Sequence, residues 1–296
     1  MDSKHKSGFV NIVGKPNVGK STLMNALVGE KLAIITSKAQ TTRHRIMGIL
    51  NGENFQIIYS DTPGILDPKY KLHDSMMEFV NTAFTDADII LFVVDITDAT
   101  AVDEKHLAKV NHAKVPVLVL INKIDLSAQE KLEAAVGYWK DKIKNAEVIP
   151  VSAKTKFNVK YVFDRVLDLL PESPPYYSKD QMTDRSERFF IAEIIREKIL
   201  LYYQKEIPYA TEVIIDTFKD EKTIVKIRAE IIVERETQKA IVIGHQGKAL
   251  KKTGTEARKD MEKFLGKKVF LELFVKVDKD WRNNEIHLRR YGYINK

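Results

Sequence analysis

The stretch Gly14-Lys-Pro-Asn-Val-Gly-Lys-Ser-Thr22 follows the apolar run Phe9–Val13 and opens the helix-like Lys20–Val28. No other feature constrains the chain as much. It satisfies G-x-x-x-x-G-K-[ST] through Gly14, Gly19, Lys20 and Ser21. Its glycines let the main chain wrap closely round a phosphate, while successive N–H groups and a helix N-terminus favour negative charge. The pattern predicts a nucleotide cradle of Gly14, Lys15, Pro16, Asn17, Val18, Gly19, Lys20, Ser21 and Thr22. Lys20 is expected to reach the β- and γ-phosphates, and the Ser21 hydroxyl to ligate Mg2+. A chance glycine-rich turn would match the bare pattern but would not need a strand before it and a helix after it.

That context recurs along the first half. Apolar runs at Phe9–Val13, Phe55–Tyr59, Ile89–Val94, Val115–Ile121 and Glu147–Val151 alternate with helix-like segments such as Gln129–Lys144. Arg45–Asn51 adds an edge strand. Continuous apolar strands between helices predict an α/β domain with a mostly parallel, doubly wound sheet. Three further elements follow strands in chain order. They are Asp61-Thr62-Pro63-Gly64 (with Ile65 next), Asn122-Lys123-Ile124-Asp125 and Ser152-Ala153-Lys154. Each alone is an ordinary turn, but in order at strand C-termini they line one crevice. An aspartate at 61 can hold a metal-bound water, and the Gly64 N–H can sense a γ-phosphate. A carboxylate at Asp125 can accept hydrogen bonds from guanine N1–H and its 2-amino group. Adenine would face it with a lone pair, so GTP is expected over ATP.

The rhythm breaks at Pro171-Glu-Ser-Pro-Pro-Tyr-Tyr-Ser-Lys-Asp180, whose prolines read as a stiff linker. The expected division is 1–172, a linker at 173–182, and a second domain at 183–296. There the predicted order is α-β-β-α-α-β: a helix at Ser186–Gln204, strands at Thr211–Thr217 and Thr223–Val233, a short helix, the tetrad Gly244-His245-Gln246-Gly247, a helix at Lys248–Phe264 and a strand at Lys268–Val277. A GxxG turn between helices lets the backbone approach the sugar–phosphate chain of four unpaired nucleotides, as in KH modules. Lys239, Ile243, the tetrad, Lys248, Lys251 and Lys252 are the expected RNA contacts, with Ile241, Val242, Ile243 and Leu250 walling a base groove. His245 and Gln246 stand where many tetrads carry Lys or Arg, so the phosphate charge contact falls to Lys248. Charge agrees: residues 239–296 hold 15 Lys+Arg against 7 Asp+Glu, net +8, while the other residues sum to −1. A basic block beside a neutral body favours a polyanion partner.

The segments GKPNVGKS, QTTRH (Gln40–His44), DTPG, NKID and SAK resemble the bacterial Era family of translation-factor-type P-loop GTPases. So do the second-half segments from Thr183, Ile232 and Ala257, and the likeness covers nearly the whole chain. The resemblance implies a GTPase domain followed by a type II KH domain, GTP/GDP as ligands and slow GTP hydrolysis. It further implies binding of the 3′ end of 16S rRNA in maturation of the 30S ribosomal subunit. In such GTPases one threonine of the Thr41-Thr42 pair closes over Mg2+; Thr42 is favoured and Thr41 is the alternative. The metal set is then Ser21, Thr42 and Asp61, and the catalytic set Lys20, Thr42, Asp61, Gly64 and Asn17. Ile65 stands where Ras-like proteins carry a water-orienting glutamine, and an isoleucine cannot polarise water. The family offers Asn17 as a K+ ligand in place of an arginine finger; a plain loop-conformation residue is the other reading.

Zero cysteines, no N-terminal apolar h-region and apolar runs too short for a bilayer make a cytoplasmic protein the default. A monomer is expected, although the residues do not fix the oligomeric state. The basic tail allows weak peripheral contact with anionic lipid on the inner face of the membrane. A non-catalytic RNA chaperone holding GTP as a structural ligand is one competing class, and a GTPase acting on membranes through that basic tail is another. Among the remaining residues, Trp139, Trp281, Phe189 and Phe190 are expected in packing, and His44 as a solvated residue. The apolar residues of Phe270–Val275 are expected to be buried.

Overall fold

Among the described residues, apolar runs rich in β-branched residues form the strands β1 (Lys6–Val13), β2 (Ile46–Asn51), β3 (Phe55–Asp61), β4 (Ile89–Asp95), β5 (Val117–Asn122) and β6 (Ala146–Pro150). The computed structural model describes residues 5–98 and 104–294; Met1–Lys4, in the N-terminus read for an h-region, and Lys296 of the basic block lie outside the described residues. The strands form one sheet in the order β2-β3-β1-β4-β5-β6. Only β2 is antiparallel to its neighbour. Every residue of β5 is buried, as a central parallel strand covered on both faces requires. The helices are α1 (Lys20–Val28), α2 (Lys71–Thr85), α3 (Glu104–Asn111), α4 (Gln129–Lys142) and α5 (Val159–Leu169). Ala83, Val110 and Ile143 meet Phe92, Val119 and Ile121 on one face of the sheet. On the other, α1 and α5 contact each other. Strand order reverses at β1, so loops leaving β1 and its neighbours open into one crevice.

The chain divides into two compact units, Met1–Asp67 with Met76–Asp184, and Pro68–Ser75 with Arg185–Lys296. The proline-rich stretch 173–182 is tied to the first unit. The Ser173 N–H donates to the His5 carbonyl (3.1 Å), and the Tyr176 and Tyr177 N–H groups donate to Gln56 Oε1 (2.8 and 3.0 Å).

The second unit contains α6 (Glu187–Tyr202), α7 (Ile207–Ala210), β7 (Glu212–Asp220), β8 (Ile224–Val233), α8 (Glu236–Ile243), α9 (Lys248–Leu265), β9 (Lys268–Val277) and α10 (Glu285–Arg290). Its sheet runs β7-β8-β9, with β7 antiparallel and β9 parallel to β8. Val225, Ile227, Ala229, Ile231 and Val233 of β8 point at Ile191, Ile195 and Ile199 of α6, a two-residue period meeting a four-residue one. The expected burial of 270–275 fails on one face. Val269 and Val275 are buried, but Phe270 and Phe274 are 51% and 40% exposed, and Arg228 lies over the Phe274 ring at 4.3 Å. Trp281 is fully buried, its indole donating to the Ala210 carbonyl at 3.1 Å. Within this unit the Arg282 guanidinium covers the Tyr70 ring (4.6 Å) and pairs with Glu234, just ahead of α8.

Candidate functional site

The P-loop links β1 to α1, and its conformation follows from what its residues pack against. The Gly64 α-carbon abuts this loop: a methyl group there would lie 2.6 Å from the Pro16 backbone, so no larger residue fits. The Ile65 N–H donates to the Gly14 carbonyl (3.1 Å), and Thr62 Oγ1 to the Ile12 carbonyl (2.7 Å). The D-T-P-G segment is thereby fastened to the loop. Asn122, 2% exposed, makes the next tie. Its amide donates to the Val18 carbonyl (2.8 Å) and its Oδ1 accepts from the Ala153 N–H (3.0 Å). One side chain joins the P-loop, the N-K-I-D turn and the S-A-K turn.

At the foot of this arrangement three oxygens converge. Ser21 Oγ lies 2.6 Å from Asp61 Oδ2 and 2.9 Å from Thr42 Oγ1, and Thr42 Oγ1 donates to Asp61 Oδ2 at 3.1 Å. Asp61 Oδ1 is buried with no hydrogen-bond partner among the described residues. A cluster of hydroxyls around a carboxylate with one unspent oxygen suits a small hard cation. Thr41 points elsewhere, to Thr36 Oγ1 (2.7 Å) and the Lys38 carbonyl (2.6 Å), so the geometry favours Thr42. Burial pushes the Asp61 carboxyl upward, opposed by Lys20 and by hydrogen bonds from Ser21, Thr42 and the Thr62 N–H. Burial likewise lowers the Lys20 ammonium to about 8, with Asp61 offsetting part of the shift. Lys20 donates to the Gly14 (3.0 Å) and Lys15 (2.8 Å) carbonyls.

A cleft of about 380 Å3 lies above these groups, walled by Gly19–Thr22, Ile34–Ser37, Thr41, Thr42, Gly64 and Lys123. The Ile34–Ser37 wall escaped the sequence reading because nothing in its composition marks it. Asp125 is exposed and its Oδ1 accepts from Ser152 Oγ (2.7 Å), which presets the carboxylate. Lys123 takes a left-handed backbone (φ 65°) and pairs with Asp95 at 2.6 Å. Lys154 is exposed at the end of its turn. Asn17 is also left-handed (φ 62°), and its amide donates to the Ser37 carbonyl at 3.1 Å.

His44 is not solvated. Arg43, His44 and Arg45 are all buried, at 0%, 7% and 7% exposure. Arg45 is held by Ser60, Asn11 and Asp86, and the His44 ring lies 6.3 Å from the Phe79 ring, tilted by 45°. Charge pattern alone suggested a surface, whereas buried Asn11 and Ser60 and the partly exposed Asp86, distant in sequence, supply partners for Arg45.

In the second unit Gly244–Gly247 turns from α8 into α9, with φ of 72° at Gly244, 51° at Gln246 and 73° at Gly247. His245 and Gln246 are exposed at its tip, and Lys248, Lys251 and Lys252 are exposed on the first turns of α9. Lys239 and Ile243 lie behind the turn on α8, half-buried. A groove of about 470 Å3 runs from the tetrad between α9 and β9. Leu250 lines it as expected, with Gly254, Thr255, Arg258, Phe270 and Leu271. Val242 does not: it is fully buried in the core, and Ile241 faces solvent. Arg258 was missed and Phe270 was expected to be buried, because the parallel pairing of β9 with β8 that brings β9 beside α9 is a tertiary property.

Residues 9–123 match the family described as 50S ribosome-binding GTPase, and residues 206–282 match the KH domain family. The GTPase Era of Syntrophus aciditrophicus (strain SB) is 47% identical over 291 residues, covering 97% of this chain and 95% of that one. The GTPase Era of Staphylococcus haemolyticus (strain JCSC1435) is 44% identical over 294 residues, covering 99% and 98%. Two solved structures superpose with a TM-score of 0.93 at 40% identity, over 98% of this chain and 100% of each of theirs. One is Era in complex with MgGDPNP and nucleotides 1506–1542 of 16S ribosomal RNA; the other is a variant of Aquifex aeolicus Era bound to GDP.AlF4-. With such identity sustained from end to end and both modules in place, this chain belongs to the Era family of GTPases.

Proposed function

We propose that the chain is a GTP-hydrolysing switch whose KH domain holds the unpaired 3′ end of 16S rRNA during maturation of the 30S subunit. The observation that carries the catalytic half is the meeting of Ser21, Thr42 and Asp61 beneath the P-loop. These three residues would hold Mg2+, which when bound neutralises charge on the β- and γ-phosphate oxygens. The P-loop N–H groups and Lys20 orient the phosphates, and the Gly64 N–H reports the γ-phosphate. Asp125, preset by Ser152, selects guanine. Ile65 leaves no side chain to orient water, so hydrolysis rests on electrostatics and positioning, and intrinsic turnover is slow. Asn17, whose amide already reaches the Ser37 carbonyl, is the residue at which K+ would add positive charge. The domain limits that fit this reading are 1–172 and 183–296. The protein works as a monomer in the cytoplasm, with the basic tail allowing weak contact with the membrane's inner face.

Single-turnover GTP hydrolysis tests the catalytic assignment. Turnover is expected only with Mg2+, and faster in K+ than in Na+, and Asn17→Ala is expected to remove the K+ advantage. Equal rates in both salts would eliminate the K+ role, and turnover in EDTA would eliminate the metal set.

A further inference from the structure

The tetrad accounts for four nucleotides, but the lysines beside it extend past the groove. Residues 244–255 carry three lysines and no carboxylate. Lys251 lines the groove between α9 and β9, whereas Lys252 turns to the other flank of α9. There its Nζ sits 4.6 Å from the ring centroid of Tyr202, the last residue of α6. Tyr202 is 39% exposed and its neighbour Leu201 is 51% exposed.

The next residue explains why this pair stands in the open. The Tyr203 hydroxyl is buried, donating to the Val242 carbonyl (2.8 Å) and bonding Thr253 Oγ1 (3.1 Å). Val242 lies two residues before the tetrad, at the end of α8, and Thr253 in the second turn of α9. Tyr203 therefore pins the end of α6 to both helices that carry the GxxG turn, and Tyr202 is left facing outward beside them.

We propose that Tyr202, Leu201 and Lys252 form a second contact for single-stranded RNA, continuing the track of the tetrad across the far side of α9. An aromatic face stacks on any base, and an ammonium beside it meets the adjoining phosphate, the two parts of a sequence-tolerant single-strand site. Continuity with the lysine-rich first turns of α9, and the lack of any carboxylate along them, favour a polyanion here over a protein partner. This inference rests on the RNA-binding reading of the second unit.

The test is equilibrium binding of 16S 3′-terminal oligoribonucleotides of about four and about twelve nucleotides to the full-length protein and its variants. Tyr202→Ala is expected to weaken the long RNA by roughly 5- to 100-fold and to leave the short one unchanged. Tyr202→Phe should keep long-RNA affinity, since stacking needs the ring and not the hydroxyl. Lys252→Gln should lower the salt slope on the long RNA by about 0.7. Unchanged long-RNA affinity in Tyr202→Ala, or equal weakening of both lengths, would overturn the proposal. Failure of the unaltered protein to bind even the short RNA would instead overturn the underlying RNA-binding reading, and this proposal with it.

Discussion

At Asp125 the choice of base comes down to what a carboxylate can accept. Ser152 fixes one oxygen at 2.7 Å, leaving the group poised for two guanine donors. Asp125→Asn should cost GTP affinity about 10- to 100-fold, the worth of hydrogen bonds to a charged group, and erase the preference over ATP. Competition binding with both nucleotides checks it, and retained selectivity would refute the assignment. Lys20 makes a different prediction. Its buried ammonium titrates near 8 instead of 10.5. Between those values the unfolded chain binds more protons, so this residue's penalty, full below about 8, is relieved as pH rises. Phosphate binding needs the ammonium, so GTP affinity should fall above pH 8 by up to about tenfold per pH unit, with proton uptake on binding. Calorimetry in buffers of different ionisation enthalpy reads both, and a flat profile to pH 9.5 would contradict it. Of these residues the sequence told which types sit at which strand ends. It favoured Thr42 but left Thr41 open, because the choice depends on where Asp61 lies in space. Nor could it bury His44, whose surroundings come from elements far along the chain.

Among the elements, the α8–α9 turn separates shape from charge. A methyl group at Gly244 would meet Ala249 Cβ at 2.6 Å on a φ of 72°, whereas the same addition at Gly247 finds open space. Gly244→Ala should destabilise the second unit by about 1–3 kcal/mol, seen as a lowered denaturation midpoint. Gly247→Asp should abolish RNA binding with a smaller loss of stability, since aspartate tolerates the left-handed region and its charge repels phosphate. GTP binding should survive both; RNA affinity surviving Gly247→Asp would place the groove elsewhere. Elements with a strong period were legible: β5 as an unbroken apolar run, α9 as a long helix ending near Gly266. β9 was misread because apolar residues on both faces look the same whether the second face is covered or not. The short α10 and the turn at Trp281 have too few residues to show a period. The turn is held by the indole bond to Ala210, a partner that a sequence cannot display, and α10 by the Asn284 cap and the buried Leu288.

For the whole molecule, the question is how a nucleotide could be felt by an RNA site. Only a difference in free energy between the GTP and GDP states can do it. The segment Pro68–Ser75, which follows the D-T-P-G turn after three intervening residues, belongs to the second unit, where Tyr70 lies under Arg282. Arg282 pairs with Glu234 at the entrance to α8, and α8 ends at the tetrad. A change in Gly64–Ile65 therefore has a covalent route into Pro68–Ser75 and, within the second unit, a packed route from Tyr70 through Arg282 and Glu234 towards the RNA turn. The most direct measurement is the affinity of the full-length protein for 16S 3′-terminal RNA, taken with a non-hydrolysable GTP analogue and again with GDP. The account predicts a difference of about 5- to 150-fold, with the RNA shifting nucleotide affinity by the same factor. Identical RNA affinity in the two states would contradict it.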